Sequence, residues 1–140
     1  MIGEMGEQTA REFLATHNLG RLGCCQGNQP YVVPVHYLLE GDCLYVHSLP
    51  GRKIEMLRAN PHACLLVDSI DDDYHWRSVI ANGHYEEVTD ADERDRWLAR
   101  IYAELPLHSP VESMPQHERV TTLVFRLRLT SLTGRFEKWV

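Results

Sequence analysis

Pro30-Tyr31-Val32-Val33-Pro34-Val35-His36-Tyr37-Leu38-Leu39, followed by Glu40-Gly41-Asp42 and Cys43-Leu44-Tyr45-Val46-His47, decides the fold class. Valine and tyrosine favour strands, and Gly41-Asp42 is a two-residue turn signal between two of them. Upstream, Arg21 to Cys25 is another short apolar run, closed by the turn pair Gly27-Asn28. Three strands joined by tight turns make a β-meander, with no crossover helix between them. Pro34 has no N–H to give to a ladder, so its strand carries an unpaired edge or a bulge there. An edge with free backbone groups is a platform for a ligand.

The pattern continues in both directions. Towards the N-terminus, Thr9-Ala10-Arg11-Glu12 reads as a capping box for a helix that carries Phe13 and Leu14 and ends at Asn18 to Gly20. Downstream, a short helix carries Ile54 and Leu57 and stops at Asn60-Pro61. Ala63 to Ser69 is a strand, and Asp71-Asp72-Asp73 is an acidic loop. Trp76 to Val88 is a long strand, with Gly83 marking a bulge or a close approach. Asp90-Ala91-Asp92-Glu93 opens a capped helix with the apolar stripe Trp97, Leu98, Ile101, Tyr102 and Leu105, ended by Pro106. Leu107 to His117 reads as a surface loop. Thr122 to Leu132 alternates, with Leu123, Phe125, Leu127 and Leu129 on one face and Arg126 and Arg128 on the other. About six strands and three short helices, with strands adjacent in sequence, predict a mainly β, antiparallel barrel. There is no GxGxxG and no Rossmann alternation.

The chain has 140 residues, 44% hydrophobic and 24% charged, which fits one globular domain over residues 1–140. A net charge of −6 disfavours non-specific binding to nucleic acid or anionic lipid. The start, Met-Ile-Gly-Glu-Met-Gly-Glu, has no apolar core and does not read as a secretory signal, and no run has the length of a membrane span. A cytoplasmic location is expected. Cys24, Cys25, Cys43 and Cys64 lie in strand-like stretches without CxxC or zinc spacing. They read as buried free thiols rather than metal or redox groups.

The chemistry concentrates in His47-Ser48-Leu49-Pro50-Gly51-Arg52-Lys53, which leaves a strand and enters a helix. A helix start exposes backbone N–H groups and partial positive charge, Arg52 and Lys53 add full charges, and Ser48 adds a hydroxyl. This composition suits an anion such as a phosphate. It also suits an ordinary solvated helix start.

This stretch, with Asn60-Pro61, Pro30 to Tyr37 and Trp76-Arg77-Ser78-Val79-Ile80-Ala81-Asn82-Gly83, resembles the pyridoxamine phosphate oxidase-like superfamily of FMN-binding split barrels. The nearest likeness is to its small nitroimidazole-resistance and flavin-nucleotide-binding branch. The resemblance runs from about Leu19 to Val88, with an echo at Ser131 to Arg135. It implies a six-stranded antiparallel split barrel with FMN as cofactor, held at the interface of a homodimer. Arg52, Lys53 and Ser48 would hold the phosphate. Backbone groups of Val33, Pro34, Val35 and His36 would follow the isoalloxazine edge, and Ser78 and Val79 would contact the ring or ribityl chain. Trp76, Tyr37 or Trp139 would cover a ring face, unless they serve only in packing.

His36 and His47 border these segments, and either can carry a proton to a reduced substrate, ligate haem iron, or make routine hydrogen bonds. His75 and His84 flank the Trp76 segment. The acidic loop Asp71 to Asp73 is read as solvated, and no metal is expected. The resemblance implies a flavin-dependent oxidoreductase that passes nicotinamide-derived electrons to a small nitro compound or quinone. A flavin carrier without turnover and a haem-binding barrel are the alternatives. True pyridoxamine phosphate oxidases are longer and carry further basic residues, so oxidation of pyridoxamine phosphate is not expected.

Overall fold

The computed structural model describes residues 1–105 and 122–138. In chain order the elements are β1 (Ile2–Met5), α1 (Glu7–Ala15), β2 (Leu19–Gln26), β3 (Gln29–His36), β4 (Leu38–Glu40), β5 (Cys43–Ser48), α2 (Arg52–Ala59), β6 (His62–Asp72), β7 (His75–Glu87), α3 (Ala91–Glu104) and β8 (Leu123–Glu137). Every strand pairing is antiparallel, and the sheet order is β3-β2-β6-β7-β8-β5-β4. Its two end strands, β3 and β4, are consecutive in the chain and separated only by Tyr37. The sheet must therefore curl until its ends meet at that residue. Covalent continuity, not a hydrogen-bonded ladder, closes the barrel, which is the split form.

Tyr37 holds the corner. Its N–H donates to the Asn18 carbonyl at 2.9 Å and its hydroxyl donates to the Leu14 carbonyl at 2.6 Å. It is 1% exposed, so of its two readings, ring cover and packing, packing holds. The same corner divides the predicted strand Pro30–Leu39 into β3 and β4. Two-residue turns close the flanking hairpins, with Gly27 at φ 61° and Gly41 at φ 59° supplying the left-handed position.

Two further expectations change. Helix α1 begins one turn before the predicted capping box, at Gly6, which gives no side-chain cap, and Thr9 lies inside the helix. The short strand β1 was not expected. It pairs with the C-terminal end of β8, from Ile2↔Glu137 to Met5↔Gly134, and β8 extends beyond the predicted Leu132 to receive it. Strand β8 thus pairs with β7 on one edge and shares its other edge between β5 and β1.

The predicted irregularity at Gly83 is present. Asn82 pairs with Ser131 and Gly83 with Leu129, so the extra residue, Thr130, sits on β8. A Cβ at Gly83 would come within 3.0 Å of Leu127 Cβ and 3.1 Å of the Arg128 carbonyl. The strands approach here because position 83 has no side chain.

Leu22, Leu44, Leu65, Val67, Val79, Phe125 and Leu127 fill the interior, sealed by Phe13 and Leu14 of α1 and Ile54 and Leu57 of α2. On the opposite face of β5, Cys43 and Tyr45 pack with Val124 under Trp97 and Leu98 of α3. Asp90 caps α3 by accepting the Glu93 N–H at 2.9 Å. Trp139, Pro106 and the predicted loop Leu107 to His117 lie outside the described residues.

Candidate functional site

Strand β5 delivers the first group. Leu44 and Val46 face the interior and Cys43 and Tyr45 face α3, so alternation turns His47 towards α3 and Ser48 inward. The chain then breaks at Leu49-Pro50-Gly51 and enters α2. Gly51 is the N-cap in an extended conformation, and no side chain caps the helix. The first intrahelical bond runs from the Glu55 N–H to the Gly51 carbonyl. The N–H groups of the first turn therefore point out of the helix start, beside Arg52 and Lys53.

The charges there are uncompensated. Among the described residues, Arg52, Lys53, His36 and His47 form no ion pair with a carboxylate. The Arg52 guanidinium lies 5.2 Å from the centroid of the Tyr31 ring. Burial pulls the Lys53 ammonium below the usual lysine range, against the opposing influence of the Cys24 thiol. His47 is pulled down to about 4, first by burial and then by the positive charge of Lys53 and by His36. Its ring meets Tyr102 edge-on at 5.6 Å. Nδ1 of His36 and Nδ1 of His47 are both buried without a hydrogen-bond partner.

Ser48 is placed beside this group, but its hydroxyl donates to the Leu49 carbonyl at 2.8 Å. It is 7% exposed, and an incoming anion would have to displace that bond. Tyr31 and Cys24 are members of the group that sequence reasoning did not single out. Both lie in β-stretches far from Arg52 and Lys53 in sequence, and only their approach to α2 reveals them.

Strand β3 is the sheet edge, the first of the two outcomes, edge or bulge, that Pro34 allowed. Val35 faces the core, Val33 packs against it, and Pro34 is exposed opposite Arg21. Beyond β3 no ladder partner exists among the described residues, so half of its backbone groups face outward.

Trp76, Ser78 and Val79 form a second, separate group. On the β8 ladder Ser48 stands opposite Leu123, whereas Ser78 stands opposite Arg135. About a dozen residues of strand, roughly 40 Å if straight, lie between them. Among the described residues no hydrogen bond or ion pair joins Ser48, Arg52 or Lys53 to Trp76 or Ser78. The Trp76 indole N–H donates to a Glu137 carboxylate oxygen at 2.9 Å, which fixes the ring on the wall of a 440 Å³ cavity shared with Met5 and Phe136. Val79 is fully buried, so only its backbone can meet a ligand.

The remaining candidates have local partners. His75 Nδ1 lies 2.9 Å from the Asp72 carboxylate and ties the β6–β7 hairpin, while Asp71 to Asp73 are exposed. His84 meets His62 edge-on at 5.6 Å. Among the described residues no group of three metal-ligating side chains is assembled. All four cysteines are free.

The family model for pyridoxamine 5′-phosphate oxidase matches residues 6–136. An uncharacterized protein of Rhizobium meliloti (strain 1021) is 37% identical over 84 residues, 60% of this chain and 56% of that protein. The chain thus spans little more than half the length of that relative. The crystal structure of a FAD-binding protein from Mesorhizobium loti matches with a TM-score of 0.86 at 30% identity, covering 99% of both chains. A proposed 5-nitroimidazole antibiotic resistance protein from Bacteroides thetaiotaomicron shares the fold, with a TM-score of 0.75 at 22% identity over 97% of this chain and 89% of that one.

Proposed function

We propose that this chain, which belongs to the pyridoxamine 5′-phosphate oxidase family, binds a flavin nucleotide and acts as a flavin-dependent oxidoreductase. One observation carries the reading: among the described residues, Arg52 and Lys53 stand without carboxylate partners at an uncapped helix start. In a chain of net charge −6, a cationic cluster left without acids suits an anionic ligand rather than the protein's own stability. The unpaired edge of β3 lies beside it and offers donors and acceptors to the edge of a flat heterocycle.

When bound, the flavin supplies hydride and electron chemistry that no side chain here can supply. The protein's part is to hold the phosphate at Arg52 and Lys53, to orient the ring along β3, and to keep water away. Nicotinamide-derived electrons would pass through this site to a small nitro compound or quinone. His36 and His47 are the candidate groups for steering a proton to the acceptor.

The finer reading is FMN, because the cluster is one compact anion site. A second reading is FAD, the ligand named for the Mesorhizobium loti protein. A 380 Å³ groove lined by Gln26, Gln29, Arg52, Glu55 and Met56 adjoins the clamp, with room for an adenylate end. We also place the flavin at the interface of a homodimer, with Trp76 and Ser78 of the partner subunit completing the pocket. The separation of the two groups within one chain supports this. So does the outer sheet face, where Val32, Ile70 and Ile80 are 65%, 70% and 43% exposed. A cytoplasmic location suits four free thiols.

Titration with FMN, FAD and riboflavin tests the assignment. A phosphate clamp requires FMN to bind at least tenfold more tightly than riboflavin, since each charge-assisted hydrogen bond contributes roughly 1.5–3 kcal/mol. The Arg52→Ala/Lys53→Ala variant should lose that margin while keeping its circular dichroism. Equal affinity for FMN and riboflavin in the wild type would remove the clamp, and a Soret band in the purified protein would favour haem.

A further inference from the structure

Two imidazoles next to the clamp have buried nitrogens without partners. Nδ1 of His36, from β3, and Nδ1 of His47, from β5, are both shielded from water and make no hydrogen bond. A buried ring nitrogen that has left water without gaining a partner costs folding free energy. Two of them beside an uncompensated lysine form an arrangement that a ligand can relieve.

The surroundings define the ligand. From α2, Arg52 and Lys53 bring positive charge, and the influence of Lys53 reaches His47 directly. From β2 the Cys24 thiol lies within electrostatic range of Lys53. From α3, Tyr102 closes the far side of His47. On β8 the nearest ladder neighbours, Val124 and Leu123, are apolar. Among the described residues no carboxylate pairs with Arg52, Lys53, His36 or His47. Arg52 and Lys53 offer an anion donors only, and a phosphate dianion presents acceptors only.

We propose that binding of a phosphate-bearing ligand at Arg52 and Lys53 draws a proton from solvent onto the His36–His47 pair, which then becomes part of the phosphate site. The proposal rests on the flavin reading for the identity of the ligand, but not for the chemistry. The free protein keeps His47 neutral, because burial first and Lys53 second penalise a positive charge on its ring. A phosphate dianion cancels the lysine's influence and rewards protonation. The protonated imidazole donates from both ring nitrogens, so its orphaned Nδ1 gains an acceptor in the phosphate. The only transfer is one proton: an O–H bond of hydronium, or the acid bond of the buffer that replenishes it, breaks and the imidazole N–H bond forms in exchange.

Proton uptake leaves a signature that a purely structural histidine would not. Ligand affinity must rise as pH falls towards the range where the free histidine begins to titrate. FMN's own phosphate titrates near pH 6 and acts in the opposite direction, weakening binding as it loses charge. The two effects separate in a variant without the imidazoles.

Calorimetry of the full chain with FMN, in buffers of different ionisation enthalpy and free of phosphate, counts the protons exchanged. We expect the wild type to take up more protons per site at pH 7 than His36→Gln/His47→Gln. The ratio of their FMN affinities should widen about tenfold between pH 8 and pH 6. Equal proton counts, with both proteins binding, would overturn the inference and leave the flavin reading intact. Inorganic phosphate is the second probe: uptake of a proton with phosphate, but no binding of any flavin, would overturn the flavin reading alone. If the double variant does not fold, NMR titration of the wild-type His47 ring replaces it. Its midpoint must move upward on adding FMN, and an unmoved midpoint in the bound protein would overturn the inference.

Discussion

Burial and the neighbouring Lys53 keep His47 deprotonated down to about pH 4, whereas an unfolded chain protonates the same ring near 6.5. The folded-state value is depressed, so the unfolded state binds the extra proton as pH falls. The stability linked to His47 is therefore complete above pH 6.5 and is lost between 6.5 and 4. The loss is of order 2–3 kcal/mol. Urea unfolding of the ligand-free protein at pH 7.5 and pH 5 measures it, and His47→Gln should flatten the slope. An unchanged slope in that variant would show that His47 is not the group responsible. Glu86 acts in a lower window: hydrogen bonds from Arg128, then Arg126, hold it to about 2, so its contribution fades only below about pH 4.5. Neither environment was legible in the sequence. Arg52 and Lys53 were, because they are adjacent and sit on a recognisable strand-to-helix break. The inward turn of Ser48, the burial of Tyr37 and the approach of Cys24 to Lys53 depend on which face each strand buries. That is set by distant segments.

The elements follow from local chemistry wherever one face is apolar. Alternation located β8, and the cap at Asp90 located α3, because both signals act within a few residues. Asp90→Ala should therefore cost about 1 kcal/mol, read as a lowered urea midpoint. Strand β1 escaped notice because Ile2–Met5 is half exposed and, among the described residues, gains its ladder from β8 alone, more than a hundred residues away. The start of α1 was misplaced for a related reason: Gly6 offers no side-chain signal, and the capping pattern at Thr9 proved incidental once Ala10, Phe13 and Leu14 were drawn into the core. Gly83 is the most demanding single position in the sheet. A methyl group there meets the β8 backbone and Leu127 at about 3 Å, and neither is a flexible side-chain end. Gly83→Ala should thus destabilise the protein by roughly 1–3 kcal/mol through the shift it forces on β8. A thermal midpoint equal to wild type would show that the β7–β8 pairing yields more easily than its geometry suggests.

At the scale of the whole molecule, the two halves of the candidate site lie towards opposite ends of β8. Closing the barrel at Tyr37 fixes that separation, because β5 and the start of β7 reach β8 at different levels of its length. In the proposed homodimer a two-fold axis would remove the difficulty, with each copy offering Arg52 and Lys53 to one site and Trp76 and Ser78 to the other. Light scattering should then give twice the mass of one chain. A stronger test uses two damaged proteins. Arg52→Ala/Lys53→Ala removes one half of every site, and Trp76→Ala/Ser78→Ala removes the other, so each homodimer should bind FMN poorly. Unfolded together and refolded, they also form mixed dimers. In a mixed dimer one site collects both damaged halves and the other collects both intact halves. The second site should bind one FMN per mixed dimer with wild-type affinity. No recovery after mixing, with subunit exchange verified by mass, would mean that each flavin is held within a single chain. The Trp76 cavity would then have to be explained without the flavin.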